Sequence, residues 1–200
     1  MTLDYPPLAT TLQGRYVVLK PLSYLDKDLL IEAASDGLLW NLWYTSVPSP
    51  ESMETYIMTA LIEQEQKKSL PFVIIHREDQ KIVGSTRFMN IESTIRRMEI
   101  GSTWYAKSSQ RTVVNTETKY LLLKHAFEAL GCVAIELRTH WINHQSRAAI
   151  ERLGAKLDGV LRNHRIASDG TLRDTVVYSI LNTEWPMVKS HLEFKLSQRE

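Results

Sequence analysis

A chain of 200 residues with 24 Lys and Arg against 23 Asp and Glu carries a formal net charge of +1, which excludes a general electrostatic pull toward nucleic acid or an anionic membrane surface. Hydrophobic content of 44% and charged content of 24% describe an ordinary globular protein, long enough to bury a core without staples. The single cysteine, Cys132, excludes an internal disulfide, and its place at the start of an apolar run makes it a small buried hydrophobe rather than a nucleophile.

The first residues lack a basic flank and an apolar stretch, so no secretory leader is expected, and no run is apolar and long enough to span a bilayer. These features, with the lone thiol, imply a cytoplasmic protein. Residues 1–13, with Pro6 and Pro7, read as a surface arm, and residues 14–200 as one domain. Tyr16 to Pro21 is a β-branched run closed by proline, a first strand. Ser23 is an N-cap for a helix whose stripe is Leu25, Leu29, Leu30 and Ala33, ending near Asp36-Gly37. The aromatic-rich run that follows holds Trp40, Trp43 and Tyr44. It reads either as core packing or as the wall of a substrate pocket, and an interface between two copies is a further use of exposed aromatics.

A second helix starts near Ser49-Pro50 and repeats Met53, Tyr56, Ile57, Ala60 and Leu61 at helical spacing. Leu70 to His76 and Lys81 to Met89 then form a hairpin around Asp79-Gln80, and Arg97 to Tyr105 is the next strand. This meander runs into WYAKSSQRTVVNTETKYLLLKHAFEALG, residues 104–131. There a polar loop opens a helix whose buried stripe is Leu122, Leu123, Ala126, Phe127 and Leu130, with Lys119, Lys124 and Glu128 facing water. The N-terminus of such a helix offers unpaired N–H groups and the positive end of a dipole, so the spacing places a phosphorylated cofactor there. Val133 to Thr139 returns as a strand, giving a βαβ-like crossover. Asn143 caps a short helix ending at Gly154, Asp169-Gly170 turns a final hairpin, and Trp185, Val188, Leu192 and Leu196 line a last helix.

Three stretches carry a family resemblance. They are residues 104–131, the run RTHWINHQSRAAIERLGAKLDGVLRNH with its Asn-x-x-Ser helix, and DGTLRDTVVYSILNTEWP, all preceded by GRYVVLKPL near the start. Together the chain resembles the GNAT superfamily of N-acetyltransferases, in the branch that acetylates ribosomal-protein N-termini. The resemblance implies an α/β fold, a mixed and mostly antiparallel sheet of about six to seven strands with helices on both faces. It implies acetyl-CoA as co-substrate and an amine as acceptor, either a protein N-terminus or a small molecule.

The same resemblance makes Gln110, Arg111, Thr112, Val113, Val114 and Asn115 the pyrophosphate loop, with Asn143 and Arg147 as further cofactor contacts. The family's loop has Gly where Val113 stands and Gly or Ala where Asn115 stands. A β-branched residue resists the left-handed dihedrals glycine allows, so a non-catalytic acyl-CoA-binding protein is the alternative reading. Glu99 fills the position of a general base, against the plain reading of an ion pair with Arg97 or Arg87. Ser146 is the candidate acid for the leaving thiolate, against simple packing at a helix start, with Tyr178 as the other acid. Trp40, Trp43 and Tyr44 are the candidate acceptor contacts. His140 and His144 are four apart, but no carboxylate or thiol pattern completes a metal site, and none is expected.

Overall fold

The computed structural model describes residues 10–167 and 169–198. One sheet of eight strands runs through the molecule in the order β1-β2-β3-β4-β5-β6-β8-β7. The strands are β1 (Leu12–Gln13), β2 (Val17–Pro21), β3 (Ser69–His76), β4 (Ile82–Glu92), β5 (Arg97–Tyr105), β6 (Ala134–His140), β7 (Lys156–Ile166) and β8 (Leu172–Leu181). The helices are α1 (Lys27–Ser35), α2 (Met53–Glu65), α3 (Val113–Lys124), α4 (His144–Glu151) and α5 (Trp185–Ser197). Neighbouring strands pair antiparallel except β5 and β6, which are parallel because α3 crosses between them.

The strand beyond the expected count is β1. Leu12 and Gln13, read as part of the arm, pair with Leu19 and Val18; residues 1–9 of that arm lie outside the described residues. The turn into β2 is held by a feature absent from the hydropathy pattern. Glu117, buried in α3, accepts the backbone N–H groups of Arg15, Tyr16 and Val17 at 2.8, 2.6 and 2.7 Å. A buried carboxylate needs several donors to offset its desolvation, and this one draws them from the first turn of the chain.

Because side chains alternate along a strand, the sheet builds two cores. Leu70, Phe72 and Ile74 of β3 join Leu122 and Leu123 of α3, Ala126 just beyond it, and Val188 and Leu192 of α5 on one side. Val73, between them, joins Leu30, Ala33, Met53 and Ile57 of α1 and α2 on the other. Each fully buried Leu or Phe contributes roughly 1.5–3 kcal/mol.

Two helix faces differ from the sequence expectation. Ser23 does cap, accepting from Leu25 N–H while Asp26 accepts from Ser23 N–H, but the capped turn is 3-10 before α1 begins. That turn shifts the phase, so Leu25 and Leu29 are 89% and 50% exposed while Leu30, Ala33 and Ala34 are buried. Asp26 takes an inward place, neutralised by Lys20 at 2.6 Å. In α3 the apolar stripe holds, but Lys119 is buried rather than in water, with its ammonium turned toward β5. The last turn of that helix widens to π-helical bonding over His125–Ala129.

Candidate active site

The parallel pair β5 and β6 is joined at Arg97↔Ala134, Met98↔Ile135 and Glu99↔Glu136 and no further, although β5 runs on to Tyr105 and β6 to His140. Past Glu99 the strands splay. A bulge accompanies the divergence: Ser85 pairs with Trp104 and Arg87 with Gly101, so Ser102 and Thr103 together face Thr86. Ser102 takes a positive φ of 46° there. The gap is a cleft of about 380 Å³, walled by both diverging strands and closed on one side by α4. Its inner edges present backbone N–H and C=O groups that have lost their ladder partners, which suits an extended amide chain laid between them.

Glu99 stands where the strands part. It is 6% exposed, lines the cleft, accepts a hydrogen bond from Asn90 Nδ2 at 2.7 Å and lies 3.5 Å from Arg138. Neither partner named in the ion-pair reading holds it, since Arg87 bonds Glu63 and Arg97 pairs with Glu136. Burial raises its carboxyl above the ordinary value, against the opposing pull of Arg138 and Asn90. Across the cleft Lys119 donates to Thr103 Oγ1 at 2.7 Å, and Thr103 in turn meets Thr86 Oγ1 at 2.8 Å. Burial drives the Lys119 ammonium down to about 7, opposed by the charge of Glu99.

The loop from Gln110 to Asn115 divides between two sides. Gln110, Arg111 and Asn115 line the cleft, with Gln110 Nε2 donating to Tyr105 O at 3.0 Å and Asn115 Oδ1 accepting from the Tyr105 hydroxyl at 3.0 Å. Thr112 is the N-cap of α3, accepting from Val114 N–H at 3.2 Å. Val114 is buried in the core, while Thr112 and Val113 face a second hollow beside His76 and Asp79. Val113 is the first residue of α3, and the left-handed dihedral of the loop falls instead on Arg111, at φ 63°. The conformational objection to a valine in this loop therefore disappears.

Residues 17–156 match the acetyltransferase (GNAT) domain family. The chain belongs to that family. It is 26% identical over 147 residues to YdaF of Bacillus subtilis (strain 168), named as a candidate ribosomal N-acetyltransferase, covering 72% of this chain and 78% of that one. A GCN5-related N-acetyltransferase from Brucella melitensis superposes with a TM-score of 0.85 at 28% identity, over 95% of this chain and 86% of its own. Mycobacterium smegmatis RimJ, solved with CoA-disulfide, shares the fold with a TM-score of 0.79 at 23% identity, over 94% and 95% of the two chains.

Acetyl-CoA is the co-substrate of GNAT enzymes, and the donor set here fits it. The first turn of α3 supplies N–H groups, Arg111 supplies a charge, and no carboxylate stands between Gln110 and Thr116 to repel phosphate. At the far wall Asn143 caps α4, its Oδ1 accepting Ser146 N–H at 2.9 Å, and both residues line the cleft. Arg147 does not line it. Its guanidinium lies 4.3 Å from the Trp141 ring and donates to the Tyr178 hydroxyl at 3.2 Å. Tyr178 is fully buried, donates to Glu151 at 2.7 Å and does not reach the cleft, so it is set aside as the acid.

The three aromatics also separate. Trp40 packs half-buried against the α1–α2 core, whereas Tyr44 lines the cleft. Trp43 is 49% exposed and meets Tyr44 and the ring of His140 edge-on. His140, weighed in the sequence only as a metal ligand, is buried on the cleft wall, its Nδ1 accepting from Ile142 N–H at 3.1 Å. Burial, reinforced by Arg173, lowers its pKa and favours the neutral ring. Lys119, His140, Arg138, Arg165 and Arg173 complete a basic lining in which Glu99 is the one carboxylate among the described residues. The same residues include no cluster of three His, Cys, Asp or Glu able to hold a metal, and no helix long and apolar enough to cross a membrane.

Proposed function

We propose that residues 14–200 act as one N-acetyltransferase domain that moves the acetyl group of acetyl-CoA to a primary amine by direct attack within a ternary complex. The observation that carries this is Glu99, the one carboxylate lining the cleft among the described residues, buried where β5 and β6 separate and held by Asn90. Its raised pKa suits a base that takes one proton from the acceptor's ammonium; such a base contributes about 10²- to 10⁴-fold in rate. The freed amine attacks the thioester carbon, and unpaired N–H groups of β5 after Glu99 face the charge that grows on the carbonyl oxygen. Each such donor supplies about 2.7–4 kcal/mol in comparable sites.

As the carbon–sulfur bond breaks, the thiolate takes a proton from Ser146, whose hydroxyl sits on the α4 wall, and the extra proton left on the attacking nitrogen passes to the serine oxygen as the amide forms. Asn143 has its carbonyl oxygen committed to the cap and its amide N–H groups left for the pantetheine arm. Gln110, Arg111 and Asn115 hold the pyrophosphate with the first turn of α3. Thr112 holds the Val114 N–H as the cap that shapes this turn, and Val113 contributes its N–H rather than its side chain. Tyr44 and Trp43 border the acceptor end.

Initial velocities measured over both substrates test the scheme. Intersecting double-reciprocal lines are expected for a ternary complex, and parallel lines would show a covalent acetyl-enzyme instead. Ser146→Ala is expected to lower kcat by about tenfold with KM for acetyl-CoA held within threefold.

A further inference from the structure

The β7–β8 hairpin sets two arginines directly opposite each other, Arg165 on β7 and Arg173 on β8. Cross-strand partners in an antiparallel pair project on the same face, with Cβ atoms about 4.5–5.5 Å apart, and like charges in that relation are destabilising. Here the nearby carboxylate, Asp174, is taken by Arg162 and by the N–H of Asn163. Among the described residues neither Arg165 nor Arg173 has a carboxylate within ion-pair distance, and Arg173 Nε is buried with no hydrogen-bond partner. Both guanidinium groups line the cleft, at the end that also holds His140 and Thr175.

Two like charges with no carboxylate in ion-pair contact, one with an orphaned buried donor and the other felt by Glu99 only through space, form an arrangement that an anion would complete. On the proposed function the phosphates of acetyl-CoA lie elsewhere, at the start of α3. We infer that Arg165 and Arg173 bind an anionic group, carboxylate or phosphate, carried by the amine acceptor itself. This rests on the reading of the cleft as an amine-acetylating site and narrows its acceptors. The substrate is an amine with a negative group a few bonds away, and polyamines and other purely cationic amines are excluded by the basic lining.

Matched acceptors test it: β-alanine against β-alaninamide, phosphoethanolamine against ethanolamine, Ser-Asp-Gly-amide against Ser-Asn-Gly-amide, and putrescine. The anionic member of at least one pair is expected to show a kcat/KM at least tenfold above its neutral partner, with putrescine the poorest. The pair that responds tells a free carboxylate, a phosphate and an acidic peptide apart. In Arg165→Gln and Arg173→Gln that ratio is expected to fall to within about twofold of unity. A ratio near unity in the wild type, a preference for putrescine, or a ratio that survives both substitutions would overturn the inference. So would variants that raise the KM for acetyl-CoA and leave the acceptor ratio intact, which would assign the anion to the cofactor.

Thermal unfolding gives a readout independent of turnover. N-acetyl-β-alanine is expected to raise the wild-type Tm more than N-acetyl-β-alaninamide does, and to lose that advantage in both variants. If no amine is acetylated, the amine-transfer reading fails, while this comparison still decides the arginine pair; equal shifts from the two probes would overturn it.

Discussion

Arg111 carries the loop's strain and its charge together. Its φ of 63° lies in the region that costs a side chain with a Cβ about 1–2 kcal/mol, and nothing in the packing rewards it, since the residue is exposed on the cleft rim. Arg111→Gly is expected to raise Tm by a few degrees and to weaken acetyl-CoA about tenfold by calorimetry. Unchanged affinity would remove Arg111 from the phosphate site. Lys119 shows the opposite bargain, a cation buried beside β5. Its folded-state pKa of about 7 lies below the value of about 10.4 in an unfolded chain, so the unfolded state binds more protons between those two values. Stability should therefore rise as pH climbs from about 7 toward 10. Lys119→Met should flatten that rise in denaturant titrations and stabilise the protein at pH 7 by about 1–4 kcal/mol. A slope that persists in the variant would place the titration elsewhere.

At the scale of elements, the joint between α3 and the first turn of the chain depends on one carboxylate. Glu117→Ala leaves the N–H groups of Arg15, Tyr16 and Val17 without their acceptor and is expected to cost about 2–4 kcal/mol by urea unfolding. A loss below 1 kcal/mol would mean that water replaces it. Neither Glu117 nor Lys119 was legible in the sequence, because hydropathy treats any charge on a helix as solvent-facing, whereas three donors or a hydroxyl can bring one inside. Elements set by periodicity and caps were legible: β5 begins and ends where its run does, and Asn143 and Ser23 cap as their residue types imply. The phase of α1 was not, because a 3-10 turn of three residues rotated Leu25 and Leu29 outward. The arginine pair was not legible. A two-residue turn on Asp169-Gly170 would set residue 165 against 174, and only the fold shows that 173 stands opposite and that their face is the cleft's.

For the molecule as a whole, the cleft arises from a parallel pair that stops pairing at Glu99, and that divergence is a property of backbone geometry with no sequence signature of its own. Family resemblance located the residues beside it, Gln110, Arg111, Asn115, Asn143 and Ser146, but also drew in Val113, Val114 and Arg147, whose side chains point to a hollow, to the core and to Trp141. The end of the cleft proposed for the acceptor, lined by His140, Arg165 and Arg173, had no counterpart in the sequence reading. The proposed scheme reduces to a base at the point of divergence and a cofactor loop at the helix start. Steady-state acetyl transfer by wild type and Glu99→Gln, followed by thiol release and by mass of the acetylated amine, tests that most directly. The variant should bind acetyl-CoA with a Kd within threefold of wild type yet lose at least 100-fold in kcat/KM, and the wild-type acid limb should lie above the ordinary glutamate range. Equal turnover by the two proteins would contradict it.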